Sequence, residues 1–272
     1  MPNKHRFIIP CGTSQIEPEK IRALGLSNPD EAQDLLDDVK YSTLVPEEFY
    51  RKHRRMFHEI ITKLIERSSE LRDRPMADSI FGGEISTLQE LKHHEGWHLW
   101  NPSQDSYVIL SSDTGSGYFC AQILKKLLIH PDFWNIPEER VINSPEIIDR
   151  LKDSPPSELA TAEALKNLVS AIHNNMVPVH AKAEERNVLL MTGGYKSIIP
   201  SLTLFSVFYG FELVYLFEKS AFVHSLFPDI AFSDEEWKQW RAAGQNLLKK
   251  NQENEYLRLI LEKRPKTPPQ RL

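Results

Sequence analysis

The sequence predicts an α/β fold in which helices flank a mostly parallel, doubly wound sheet. Short apolar segments alternate with segments of helical periodicity, which is the pattern of repeated strand–helix units. Three of the apolar segments lead directly into turns rich in glycine and hydroxyl side chains. At 272 residues, with 40% apolar and 26% charged residues, the chain is long enough to bury the core that such a sheet needs.

Five strands are predicted from their content of Ile, Val, Leu and aromatic residues: 6–10, 107–112, 140–144, 187–191 and 211–217. Helices are predicted at 46–73, 117–129, 157–175 and roughly 195–209. The first of these helices has Pro46 at its start, where proline is well tolerated. The apolar stretch 198–217 has the length of a membrane span, but Pro200, Gly210 and Glu212 interrupt it, so a buried helix followed by a strand is favoured.

The organisation predicted along the chain is one large domain with two additions. Residues 1–232 form the α/β domain, which includes a helical insertion at about 42–80 between the first two strands. Residues 233–272 form a polar helical extension that ends in the tail KRPKTPPQRL. This extension is too short to be an independent domain.

Charge and cysteine content restrict the classes of function. The net charge of -5 argues against bulk binding of nucleic acid, which normally needs a basic surface, so a polyanionic ligand must be small. Cys11 and Cys120 are too few for a disulfide scaffold, and Cys120 lies in an apolar helical segment that predicts a core position. The N-terminal residues MPNKHRF contain no apolar signal segment, so we expect a cytoplasmic, reduced protein.

The candidate site consists of the turns CGTSQ (11–15), SSDTGSG (111–117) and TGGYK (192–196) at the carboxyl ends of three predicted strands. Ligands of open α/β sheets bind outside those strand ends. A glycine turn that begins a helix presents backbone N–H groups to an anion, and Lys196 adds positive charge, so a phosphate is the first expectation. The alternative is that strand–helix turns are generally small and polar. Neither a P-loop nor a dinucleotide-binding glycine motif is present in the sequence.

Two further patterns are weaker. HEGWH places His94 and His98 at the spacing of a zinc metalloprotease motif, but Gly96 disfavours a helix there, and a polar loop is the better interpretation. Arg51 and His58 have the R-x6-H spacing of HEPN ribonucleases, although a solvated basic helical face produces such spacings by chance.

Taken together and in order, four stretches resemble the CARF domain of CRISPR-associated proteins: IIPCGTSQ, GGEISTLQEL, YVILSSDTGSGYFCAQIL and NVLLMTGGYK. The resemblance covers roughly residues 5–230 and implies a Rossmann-like fold. It also implies a two-fold homodimer, or a tetramer built from such dimers, that binds cyclic oligoadenylate, the messenger of type III CRISPR systems. The chain departs from the family pattern at GGE (82–84), where S-A-E is common, and at Ser116, where many members have an acidic residue.

A CARF domain without an attached effector is similar to the standalone ring nucleases, which degrade the messenger. That resemblance implies Ser14 and Lys196 as the catalytic pair, with no metal and no cofactor. The ligand-binding residues that it implies are Gly12, Thr13, Gln15, Ser112, Asp113, Thr114, Gly115, Gly117, Thr192, Gly193, Gly194 and Tyr195. The alternative hypothesis is a noncatalytic sensor that binds the same ligand and signals through its C-terminal helix to a protein or DNA partner.

Overall fold

The fold is a six-stranded sheet in a computed structural model, with strands β1 (Lys4–Cys11), β2 (Ser106–Ser112), β3 (Val141–Ile148), β4 (Glu185–Leu190), β5 (Glu212–Leu216) and β6 (Val223–Leu226). The strand order is β3-β2-β1-β4-β5-β6, and every neighbouring pair is parallel except β5 and β6. The structure describes residues 4–68, 80–93, 101, 104–149, 151, 158–176, 185–191, 202–203, 205–206, 209, 211–216, 223–226, 235, 238–239, 242–243 and 246.

The mostly parallel α/β architecture is therefore confirmed. All five predicted strands are present, with ends that differ by a few residues, and the largest difference is the extension of β3 to Ile148. The sequence did not predict β6, which pairs antiparallel with β5 at one edge of the sheet. Strand β2 is buried along its whole length, as expected for an inner strand of a parallel sheet that is covered on both faces.

The described helices are α1 (Pro18–Ala23), α2 (Pro29–Tyr41), α3 (Pro46–Lys52), α4 (Arg54–Glu66), α5 (Gly83–His93), α6 (Gly115–Ile129) and α7 (Glu158–Asn175). Helices α6 and α7 confirm the predictions at 117–129 and 157–175 within two residues. Helices α1 and α2 were not predicted. The N-terminus of α2 is stabilised because the Asn28 side chain accepts hydrogen bonds from the amides of Asp30 and Glu31.

The prediction of one helix over 46–73 was wrong, because the structure divides the segment into α3 and α4 at His53. His53 has backbone angles of φ -98° and ψ 20°, outside the helical region. Its ring is buried, contacts Phe49 at a centroid distance of 4.8 Å and lies with Nε2 2.7 Å from Asp38 Oδ2. The contact with Asp38 of α2 thus lies at the break between α3 and α4. Residues 69–73 lie outside the described residues.

Two apolar cores cover the two faces of the sheet. Helices α1 to α6 contribute to the first core, where the aromatic rings of Phe49 and Phe57 lie 5.8 and 5.5 Å from the ring of Phe119. Helix α7 packs on the other face in the second core. Residues of the 42–80 segment are thus part of the main core, and Cys120 is buried there as predicted. The domain boundaries at 42–80 and 232 stay predictions.

Within the part of the chain that the structure describes, no helix has the length and apolar character needed to cross a membrane. In the apolar stretch 198–217, strand β5 confirms the strand that the sequence predicts. Residues 202–203, 205–206 and 209 are helical, in agreement with the prediction for 195–209. In the C-terminal extension, the described positions between 235 and 246 are helical and exposed.

Candidate functional site

The candidate site lies where the direction of strand order reverses, between β1 and β4. The chain passes from β1 to β2 through helices on one face of the sheet, whereas α7, which connects β3 to β4, packs on the opposite face. Connections that leave in opposite directions open a crevice at the carboxyl ends of the two strands, which is the usual ligand position in such sheets. The turn after β1 borders this crevice.

The turn after β1 holds Ser14 in a fixed hydrogen-bonding arrangement. Residues Ser14–Ile16 form a short 3-10 helix that follows Gly12 and Thr13. The Ser14 hydroxyl donates to Glu84 Oε2 at 3.1 Å and accepts from the Gly83 amide at 2.9 Å. The other carboxylate oxygen of Glu84 accepts from the Gly12 amide at 2.8 Å. The N-terminus of α5 therefore binds the β1 turn directly.

Gln15 strengthens the same contact between distant segments. Its amide nitrogen donates to the Ile80 carbonyl at 3.1 Å, and its amide oxygen accepts from the Gly82 amide at 2.6 Å. A Cβ atom at Gly82 would lie only 3.0 Å from Ser14 Oγ and 3.2 Å from Gln15 Oε1. Glycine at this position of the GGE sequence thus permits the close approach of α5 to the turn. The Gln15 side chain is 3% exposed and holds the two segments together.

Lys20 adds a positive charge beside the turn. Its Nζ donates to the Ser14 backbone carbonyl at 2.7 Å and lies 2.9 Å from Glu17 Oε2. The side chain is 18% exposed, so the ion pair with Glu17 has one partner that is well shielded from water. Lys20 therefore anchors the backbone of Ser14 while Glu84 anchors its side chain.

Glu84 is a buried acid, with 3% of its surface exposed. Burial raises the pKa of the Glu84 carboxyl above its ordinary value, because the charged form loses its hydration. Hydrogen bonds from the amides of Gly12 and Glu84 itself and from the Ser14 hydroxyl, together with the charge of Lys20, oppose this rise in pKa without cancelling it. The site thus contains an acid whose ionisation is coupled to the β1 turn.

The turn after β2 is arranged differently. Thr114 is the N-cap of α6, and its Oγ1 accepts a hydrogen bond from the Gly117 amide at 3.1 Å. The same oxygen lies 2.7 Å from Ser112 Oγ and 3.4 Å from Ser116 Oγ. Asp113 is half-buried between them. These hydroxyl groups contact one another and the first turn of α6.

Close packing accounts for both glycines of this turn. A Cβ atom at Gly115 would lie 2.5 Å from the Cβ and Cγ atoms of Phe49, in α3. A Cβ atom at Gly117 would lie 1.9 Å from Ser112 Oγ. Of the glycines that resemble a ligand-binding motif in sequence, Gly115 therefore also allows α3 and α6 to pack closely, and Gly117 allows α6 to approach Ser112 at the end of β2.

The third turn follows β4, which is parallel to β1 and hydrogen-bonded to it. The last described residue before the turn is Met191, whose amide donates to the Val214 carbonyl at 2.8 Å. The predicted residues of this turn lie outside the described residues: Thr192, Gly193, Gly194, Tyr195 and Lys196. The pairing of Ser14 with Lys196 stays a prediction, which the adjacency of β1 and β4 supports.

The two weaker patterns have different outcomes. His94 and His98 lie outside the described residues. Arg51 and His58 lie on α3 and α4 respectively, and both are exposed, so the break at His53 places them on separate helices. Across the described ranges, no group of three or more His, Cys, Asp or Glu side chains could hold a metal ion.

Sequence reasoning missed the roles of Glu84 and Lys20. Glu84 lies within the stretch GGEISTLQEL, but the contact with Ser14 joins residues 70 positions apart, so local pattern does not show it. The signal available in the sequence was the number of polar residues between the apolar positions of GGEISTLQEL. Four polar residues of this helix are buried: Glu84, Ser86, Thr87 and Gln89.

Comparison with models of known protein families assigns part of the chain to a family. Residues 82–226, more than half of the chain, match a family model described as "CRISPR-associated protein (Cas_APE2256)". The matched region begins at Gly82, whose amide donates to Gln15, and includes Glu84, the turn after β2 and strands β2 to β6. No curated protein matches the chain.

Proposed function

The chain belongs to the CRISPR-associated protein family Cas_APE2256, and we propose that it is a ring nuclease that binds and cleaves cyclic oligoadenylate. Cyclic tetra-adenylate is the first candidate substrate. Cleavage of this messenger would switch off type III CRISPR signalling. Family membership, the α/β fold and the order of the sequence motifs support this proposal together.

The observation that carries the proposal is the fixed Ser14 hydroxyl at the β1 side of the sheet crevice. Ser14 is half-buried, and hydrogen bonds with Gly83 and Glu84 set the position of its hydroxyl. Lys20 donates to the Ser14 backbone carbonyl and holds the backbone in place. A hydroxyl held in this way suits a reaction that depends on alignment, because little of its freedom is left to be lost on binding. Strand β4 runs beside β1 and leads toward Lys196.

The proposed reaction is an attack by a ribose 2′-oxygen on the neighbouring 3′,5′-phosphodiester. The 2′-oxygen forms a bond to phosphorus while the bond from phosphorus to the 5′-oxygen breaks, and the proton lost from the 2′-hydroxyl is balanced by the proton that the 5′-oxygen gains. The products are linear oligoadenylates with a 2′,3′-cyclic phosphate and a 5′-hydroxyl. The attack requires these three atoms in line, so positioning supplies much of the rate.

Two residues have separate tasks in this proposal. Ser14 aligns the ribose, and the ammonium group of Lys196 stabilises the negative charge that develops on the nonbridging phosphate oxygens. The backbone amides of Gly193 and Gly194 add hydrogen bonds to the same charge. A two-fold homodimer would supply two copies of each residue around one ring, so a four-membered ring would be cut twice, to dinucleotides.

The test is incubation of the purified protein with cyclic tetra-adenylate in EDTA, followed by liquid chromatography with mass detection. Wild type is expected to produce linear adenylates with cyclic-phosphate ends. Lys196→Ala and Ser14→Ala are both expected to lower the initial rate by about 100-fold, because each removes one contact to the reacting atoms.

Two control variants match these substitutions outside the candidate site. Lys63→Ala removes a lysine of α4 whose Nζ lies 2.9 Å from Glu66. Ser42→Ala removes a half-buried serine whose hydroxyl accepts from the Leu44 amide at 3.1 Å. Both controls are expected to cleave like wild type. An intact ring that remains bound to wild type would instead support the sensor hypothesis and reject the enzyme.

A further inference from the structure

We infer that Glu84 is a positioning residue that fixes the direction of the Ser14 hydroxyl, so that Ser14 presents a hydrogen-bond acceptor to the 2′-hydroxyl of the substrate. This inference rests on the proposed function and assigns the contact that Ser14 makes within it. Glu84 acts through Ser14, because its own carboxylate is buried and its oxygens are hydrogen-bonded to the Gly12 amide and the Ser14 hydroxyl.

The direction follows from two of the hydrogen bonds that the Glu84 carboxylate accepts. The Gly12 amide can only donate, so it must bond to an acceptor oxygen, and it occupies Oε1 at 2.8 Å. The second oxygen, Oε2, lies 3.1 Å from Ser14 Oγ. When the carboxylate is ionised it has no proton to give, so the hydroxyl hydrogen of Ser14 points toward Oε2, the direction in which Ser14 Oγ donates in the structure.

The remaining capacity of Ser14 Oγ is then limited to one lone pair. A serine hydroxyl has one hydrogen and two lone pairs. The hydrogen is engaged by Glu84, and one lone pair accepts from the Gly83 amide at 2.9 Å. Ser14 is partly exposed, and its hydroxyl therefore offers an acceptor and no donor to a ligand.

The chemistry of an adenylate ring decides which group can use this acceptor. Nonbridging phosphate oxygens are themselves acceptors, so they cannot bond to Ser14 Oγ in this state. The ring has two kinds of donor, the adenine amino group and the ribose 2′-hydroxyl, and the proposed reaction requires the 2′-hydroxyl to be aligned. The structure thus assigns Ser14 to the attacking 2′-hydroxyl and leaves the phosphate to other groups.

Glu84→Gln reverses this direction at nearly constant shape. The amide oxygen of glutamine must face the Gly12 amide, because that group only donates. The NH2 group then faces Ser14 Oγ and donates to it, which turns the serine hydrogen toward the ligand. Ser14 becomes a donor in this variant, and an acceptor without a hydrogen can satisfy it.

The experiment measures the affinity of the full chain at pH 8 for cyclic tetra-adenylate and for the same ring with 2′-O-methyl groups, which accept but cannot donate. Association and dissociation rates are recorded in the first seconds after mixing, and mass detection checks that the ring is intact. The measured quantity is the ratio of the two Kd values, methylated over unmodified. Because Glu84→Gln leaves the Ser14 side chain in place, any steric effect of the methyl group contributes similarly to the ratio in wild type and in this variant.

The expected ratio in wild type is about tenfold larger than in Glu84→Gln, since one hydrogen bond of ordinary strength is lost in wild type alone. Ser14→Ala is expected to lower the ratio similarly, because it removes the acceptor without changing Glu84. This second variant keeps the test valid if thermal unfolding shows that Glu84→Gln is not folded. If the role of Glu84 were purely structural, Glu84→Gln would weaken the binding of both rings equally and leave the ratio of the two Kd values unchanged.

The experiment distinguishes failure of the proposed function from failure of the inference about Glu84. If the wild-type protein binds neither ring, the proposed function is rejected, and the inference with it. If wild type binds the unmodified ring but the ratio is the same in folded Glu84→Gln, only the role of Glu84 is rejected. If the ratio is also the same in Ser14→Ala, the contact between Ser14 and the 2′-hydroxyl is rejected as well.

Discussion

Glycine and hydroxyl residues follow both β1 and β2, but the two turns are bonded to different partners. The Ser14 hydroxyl after β1 is bonded to Glu84, a buried acid on another helix. The Thr114 hydroxyl after β2 is bonded within its own turn and caps α6. Similar sequences at equivalent ends of neighbouring strands thus have different surroundings.

The difference indicates that residue type alone does not identify the reactive group of such a site. A hydroxyl that caps a helix satisfies a backbone amide that would otherwise lack a partner, which stabilises the fold. A hydroxyl that a buried carboxylate orients has a fixed direction toward a ligand. We therefore expect substitutions in the first turn to affect the reaction and substitutions in the second turn to affect mainly stability.

The largest expected effect is on cleavage of cyclic tetra-adenylate. Ser14→Ala is expected to lower the initial rate by about 100-fold, because alignment of the attacking oxygen is lost. Ser112→Ala is expected to lower it by less than about tenfold, because the Ser112 hydroxyl bonds to Thr114 within the turn. Initial rates by chromatography measure both. Equal losses in the two variants would contradict the separation of the two turns.

A smaller effect is expected from the packing of the second turn. Gly115→Ala is expected to lower the free energy of unfolding by about 1–3 kcal/mol, because its Cβ would overlap Phe49. Gly25→Ala is a useful comparison, since nothing lies within 4 Å of that Cβ and its backbone φ is +63°. Its cost, about 1 kcal/mol, comes from the left-handed backbone alone. Urea unfolding measures both, and a neutral Gly115→Ala would show that Phe49 can move without cost.

The buried acid of the first turn predicts a dependence of stability on pH. The folded protein binds the Glu84 proton more tightly than the unfolded chain, because the pKa is raised above the ordinary value of 4.5. The contribution of this group to stability is therefore largest at low pH, and it falls as pH rises from 4.5 through the raised pKa. The slope from one group is at most about 1.4 kcal/mol per pH unit.

Glu84→Gln removes this titration, so the stability of this variant relative to wild type is expected to rise with pH across the same range. Urea unfolding at several pH values measures the difference. Glu66→Gln, which removes a carboxylate from the surface of α4, controls for the loss of a charge. A constant difference between Glu84→Gln and wild type would show that Glu84 binds its proton equally in both states.

The smallest expected effect concerns the helix cap. Thr114→Ala is expected to lower the free energy of unfolding by about 1 kcal/mol, as is typical for an N-cap. Asn28→Ala removes the corresponding cap of α2 and is expected to cost a similar amount. Chemical unfolding measures the free energy of unfolding of both variants. An unchanged stability of Thr114→Ala would remove the evidence that this turn acts mainly as a cap.

Much of the fold follows from the sequence because apolar strands and amphipathic helices alternate regularly. Strand β6 escaped prediction because VHSL is only four residues long and mixes polar with apolar side chains. Helix α2 was not predicted because its sequence is strongly charged, although Asn28 and Pro29 are a recognisable signal of a helix start. The break at His53 is hidden because apolar residues continue at helical spacing on both sides.

The candidate site was predictable only as far as strand ends determine it. Glycine and hydroxyl turns could be placed at one edge of the sheet from the sequence, since parallel strands end on the same side. The contact between Ser14 and Glu84 depends on how the polypeptide returns to the β1 turn after about 70 residues, which no local pattern records. The resemblance to CARF domains indicated the segment GGEISTLQEL but not the hydrogen bond between Glu84 and Ser14.

The most direct test of the account is a crystal structure of the Lys196→Ala protein with cyclic tetra-adenylate. We expect the ring to lie across the carboxyl ends of β1 and β4, with a ribose 2′-oxygen within about 3 Å of Ser14 Oγ. A ring bound at another surface would contradict the site. A ring in the crevice whose phosphate oxygens alone contact Ser14 Oγ would contradict the direction that Glu84 gives to that hydroxyl.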